Sequence, residues 1–193
     1  MKHLFLISCS ILLLANCSEI SSTSSASEGD QEWIEQGQRI AAATFATLSQ
    51  QLQHALKEGG VPNAVQYCNL AAYPLTDSLA NAHDAHIRRA TLKARNPQNR
   101  ATAEEELVIQ QYATAMEKGE VIKPMLKHSD EEEISFYAPI VVGELCLKCH
   151  GELGETLTAE NYAHILKTYP EDQAIAYKSG ELRGVWHIKL ASP

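Results

Sequence analysis

Apolar residues recur at helical spacing through the first part of the chain. Ile40, Ala43, Thr44, Leu48, Leu52, Ala55 and Leu56 fall largely three or four apart, which predicts an amphipathic helix. Asp30 can cap it, and Glu32 and Glu35 place carboxylates in its first turn, where the helix dipole favours them. Gly59-Gly60 stops it, and Pro62 suits the first turn of a second helix. Along that helix Val61, Ala64, Val65, Cys68, Ala71, Ala72, Leu75 and Leu79 form one apolar face. Cys68 is therefore expected on the buried side. Pro74 removes the donor for the Leu70 carbonyl, so a kink is expected there.

After Ala85 the periodicity changes. Residues 87–92 predict a strand, and Arg95-Asn96-Pro97-Gln98-Asn99 a turn. Thr102 and Glu105 form a capping box for a third helix reaching Lys118 and ended by Gly119. A short strand is expected over 121–126, a solvated turn over 129–133 and a strand over 134–142. Thr158 caps a short helix over 159–168, which Tyr169-Pro170 breaks. Residues 177–184 read as a loop, and 185–190 alternate as a final strand. A long helical front half followed by a small antiparallel sheet with short helices is an α+β class, not a doubly wound α/β fold.

At 193 residues and 45% hydrophobic content the chain can build one sizeable core. Its formal charge of −8 excludes attraction to nucleic acid or anionic membrane surfaces. An acidic surface can steer a basic redox partner, but it is also the ordinary setting for solubility. The start reads as a secretory signal: Lys2, then an apolar stretch from Leu4 to Ala15 that is too short for a comfortable span. Leu14-Ala15-Asn16-Cys17 resembles a bacterial lipobox, with Cys17 as the lipidation site. Asn16 stands where a small residue is usual, and Ser24-Ser25-Ala26 offers an ordinary cleavage site. Either route places the folded part outside the cytoplasm, in the periplasm or on the outer membrane by a lipid anchor. The predicted division is a signal peptide of lipoprotein type over 1–16, a Ser-rich tether over 17–30 and a folded domain over 31–193.

Cys146-Leu147-Lys148-Cys149-His150 carries the chemistry. C-x-x-C-H is the signature of covalent c-type haem attachment. Two thiols at this spacing can add to the two vinyl groups, and the adjacent imidazole can take the iron. A structural zinc site would want a second ligand pair, and none is present. A redox dithiol would sit at a strand-to-helix turn of a βαβ unit and would not need the histidine. One motif means one haem.

A second axial ligand could come from His83, His86, His187, Met116 or Met125, each with a bland surface or core reading. Of the five cysteines, only Cys68 lies in the folded part without an assigned task. A buried cysteine is by itself usually a small hydrophobe. Arg89, Lys93 and Arg95 concentrate positive charge in an acidic chain and can serve the haem propionates. Arg89 and Arg95 share a face if the strand runs through both. The alternative is a structural turn with solvated arginines.

Cys68-Asn69-Leu70-Ala71, the block from Ile87 through Arg95-Asn96-Pro97-Gln98-Asn99, Tyr137-Ala138-Pro139-Ile140 and the haem motif follow the order of one bacterial family. So does the tail Tyr169-Pro170-Glu171-Asp172-Gln173-Ala174 with Tyr177, Gly180 and Leu182-Arg183-Gly184. The chain resembles that family of monohaem c-type domains, formerly a domain of unknown function. Its members occur alone as secreted proteins and as the extracytoplasmic part of sensor kinases and chemoreceptors. The resemblance implies a PAS-like fold, His150 as proximal ligand and Cys68 as distal thiolate. Thiolate ligation favours ferric iron and lowers the reduction potential.

Three functions compete. One is a low-potential haem protein in redox or gas sensing, with NO, CO or O2 as ligand and a redox or signalling protein as partner. Another is a soluble electron carrier. The third, a haem enzyme such as a peroxidase, wants acid and base residues beside the iron, and the charged pairs here fall in solvent-facing turns, so no enzyme is expected.

Overall fold

The computed structural model describes residues 28–129 and 133–190. The expected signal peptide, Cys17, most of the tether and Asp130 to Glu132 of the solvated turn lie outside them. Helix α1, Glu28–Ala82, joins both expected front helices end to end. Its first residues, Glu28 to Asp30, fall at the end of the expected tether and are already helical. The axis breaks at Gly59 and Gly60, where Gly60 has φ 64°, a left-handed conformation that side chains resist. Pro74 stays within the helix, and non-helical dihedrals occur only at the two glycines. The carbonyl that Pro74 frees belongs to Leu70, which is 66% exposed, so water can take the place of the missing donor.

Strand β1 spans Ala85–Ala90, α2 Ala103–Glu117, β2 Met125–His128 and β3 Ile134–Val141. Helix α3 covers Glu144–His150, α4 Ala159–Thr168 and β4 Leu182–Leu190. The capping box of Thr102 and Glu105 forms at the start of α2, and the Thr158 side chain caps α4. The strands make one antiparallel sheet in the order β1-β4-β3-β2. The architecture is the expected α+β one. β2 lies a few residues later than its β-branched residues suggest, because its pairing runs from Met125 opposite Tyr137 to His128 opposite Ile134.

The sheet buries both faces. Ile40, Ala41 and Ala80 of α1 pack on Ile87, Phe136, Trp186 and Ile188. Val108, Ile109 and Tyr112 of α2 pack on Ala90, Tyr137 and Val185. Gly37 brings α1 against the sheet so closely that a Cβ there would overlap the Phe136 ring atoms. A separate cluster of Val61, Val65, Leu157, Ile165 and Tyr169 fixes α4 under the second arm of α1. That packing leaves a cleft between the second arm of α1, the chain after β1, and α3.

Candidate functional site

Helix α3 begins at Gly143, directly after β3, and carries Cys146, Cys149 and His150 within two turns. All three line a cleft that Cys68 faces from α1. The cleft has two adjoining lobes of about 220 Å³ and about 200 Å³, with Cys68, Arg89, Cys146, His150 and Arg183 lining both. Much of the remaining wall is apolar, including Leu52, Ala72, Ile140 and Trp186. Cys68, Cys146 and Cys149 are free thiols. Among the described residues no three His, Cys, Asp or Glu side chains converge closely enough to hold a metal ion. These donors thus do not form a closed zinc site; they surround a space.

The His150 ring is oriented from behind. Its Nδ1 lies 2.7 Å from the Ala174 carbonyl, and a carbonyl can only accept, so Nδ1 carries the hydrogen. Nε2 keeps its lone pair. Burial pushes the imidazole well below its ordinary pKa, and the Arg95, Arg183 and Arg89 charges push the same way against the Ala174 bond. The ring is neutral at neutral pH, the state in which imidazole binds iron.

Burial raises the Cys68 thiol, while Arg89 and Arg95 pull it down. Burial likewise raises Cys149, with Arg95 opposing. Cys149 packs against the Val61 cluster and Cys146 against Val142, Leu147 and Tyr177. The thiols sit in apolar walls under a local positive potential.

The expected arginines separate into two kinds. β1 ends at Ala90, so Arg95 lies in the following turn and not on a strand face with Arg89. Arg95 holds Asp172 with two hydrogen bonds and donates to the carbonyls of Cys149 and Ala174. Asp172 is this buried counterion. Arg89 faces both lobes. Arg183, which the sequence marked only within the Leu182-Arg183-Gly184 block, also lines both.

The other sixth-ligand candidates lie elsewhere. His83 and His86 are exposed. His187 is buried on the α2 side, with Nδ1 2.7 Å from Glu105 Oε1, Nε2 3.2 Å from Ser135 Oγ and its ring stacked on Tyr137. Neither these residues nor Met116 or Met125 line the cleft.

The chain matches the family model described as Tll0287-like over residues 25–191. The chain belongs to the Tll0287-like family. A crystal structure of the cyanobacterial haem protein Tll0287 superimposes with a TM-score of 0.53 at 21% sequence identity. The match covers 79% of this chain and 96% of that one, so the two share a fold. A search of curated proteins found no match.

Proposed function

We propose that this Tll0287-like protein is an extracytoplasmic monohaem c-type cytochrome of low potential that acts in redox or gas sensing. One observation carries the reading: of every candidate for a second axial ligand, only Cys68 lines the cleft that also holds Cys146, Cys149 and His150. The haem character of Tll0287 and the largely apolar wall of the cleft support it.

Haem supplies one-electron chemistry and an iron that binds small gases. Cys146 and Cys149 would hold it through thioethers, and His150 would supply Nε2 to the iron. Cys68, which lines the same cleft from α1, would offer a second, sulfur ligand. The Arg89 and Arg95 charges already favour its thiolate against burial, and a ferric ion adds the rest. Thiolate donation stabilises the ferric state. If Cys68 is the weaker of the two protein ligands, a reduced haem here would be the form that takes NO or CO.

A carrier role has its own support. Phe45, Val141 and Leu145 border the cleft and are 55%, 42% and 36% exposed, an apolar edge of the kind a transient electron-transfer partner contacts. Two measurements on protein matured with the c-type assembly machinery test these readings. Mass spectrometry of the denatured protein should show one covalent haem, lost in the Cys146→Ser/Cys149→Ser double variant. Ferrous protein should bind CO. A ferrous form that stays six-coordinate and ignores CO and NO would favour the carrier.

A further inference from the structure

Four arginines cluster around the cleft and the strand that enters it, and they differ in what neutralises them. Arg95 has Asp172 at 3.0 Å. Arg88 has Glu105 at 3.3 Å. No carboxylate pairs with Arg89 or Arg183 among the described residues. Arg183 Nη1 donates to Thr91 Oγ1 at 2.6 Å and to the Lys93 carbonyl at 3.0 Å, both neutral acceptors. The Arg183 guanidinium and the Lys93 ammonium lie over the Tyr177 ring, at 5.2 Å and 4.3 Å from its centroid. A second cation thus adds to the charge rather than cancelling it.

A guanidinium drawn partly out of water without an ion-pair partner is disfavoured. Proteins retain such a group where a ligand completes the pair. Arg183 and Arg89 line the same two lobes. Asn99 lines them too, and its Oδ1 is taken by the Tyr73 hydroxyl at 2.6 Å, leaving its amide nitrogen to donate. Two unpaired cations and an amide donor in one apolar cleft suit two carboxylates on an otherwise apolar molecule. A tetrapyrrole held through its vinyl edge at Cys146 and Cys149 presents its two propionates at the opposite edge.

We propose that Arg183 and Arg89 form a two-carboxylate subsite for the propionates, and that Arg95 serves the scaffold. The proposal rests on the haem reading above. Burial, the largest influence on the Arg183 guanidinium, pushes its pKa down, and a carboxylate partner offsets that cost.

The test uses full-length, haem-loaded protein with carboxylate-13C haem, read by infrared spectroscopy against pH and by potentiometry. Arg183→Gln and Arg89→Gln are compared with Arg88→Gln, whose guanidinium already has Glu105. In the wild type the propionate bands should stay ionised well into acid. In Arg183→Gln and in Arg89→Gln they should protonate at higher pH, and the midpoint potential should fall and gain a pH slope; Arg88→Gln should change neither. Should Arg183→Gln fail to fold, the wild-type titration and Arg89→Gln decide. Wild-type propionates that titrate like solvated carboxylates, or variants that match the wild type, overturn the subsite while haem binding stands. A wild type lacking covalent haem by pyridine haemochrome overturns both.

Discussion

Arg95 and Asp172 stand 77 residues apart in sequence and meet in a two-point ion pair, Nε to Oδ1 at 3.1 Å and Nη2 to Oδ2 at 3.0 Å. The Asp172 side chain is fully buried. Arg95 also donates to the carbonyl of Cys149 at 2.6 Å, and Asp172 accepts from the Ala174 amide at 2.9 Å. The pair therefore holds both the attachment helix and the carbonyl that orients His150.

Removing one partner strands the other charge in the interior. Asp172→Ala should lower stability by about 3–5 kcal/mol, read by urea denaturation. It should also broaden the haem absorption, because the Ala174 carbonyl loses its anchor. A loss below about 1 kcal/mol would mean that the pair is solvated.

Glu105 gives a pH dependence with a definite sign. Burial pushes its carboxyl up, but the His187 bond, the Thr102 amide and the Arg88 and His187 charges outweigh it and hold the pKa below its ordinary value. The fold thus prefers the ionised form. Its contribution is complete above the unfolded pKa and is lost as pH falls through the folded one. Urea midpoints measured from neutral to acid should fall less steeply in Glu105→Gln than in the wild type.

Gly37 tests the contact of α1 with the sheet. Alanine improves helix propensity by about 1 kcal/mol, yet its Cβ would overlap the Phe136 ring. The overlap costs about 1–3 kcal/mol. Gly37→Ala should therefore destabilise, and Gly37→Ala/Phe136→Leu should recover part of the loss in thermal melts.

Local signals in the chain were reliable where the physics is local. The Thr102–Glu105 capping box, the Thr158 cap, the glycine break and the strand over 185–190 each depend on a few neighbouring residues, and each forms; Asp30 does not cap α1, which already runs from Glu28. The attachment motif is equally local and lies on one short helix. Contacts across the chain were not legible. The Arg95–Asp172 pair spans 77 residues, and Arg183 stood out only as part of the Leu182-Arg183-Gly184 block, with nothing local to mark its place at the cleft. Cys68 was placed on an apolar face by helical period, but only the packing of α1 on α4 and β1 brings it to the cleft.

The central claim is that Cys68 and His150 face one another across a haem. Ferric EPR and optical spectra of the wild type and Cys68→Ala test it most directly. The account predicts a low-spin thiolate signal in the wild type and its loss in Cys68→Ala, with covalent haem retained and the potential raised. A Cys68→Ala protein that keeps the wild-type ferric signal would contradict it.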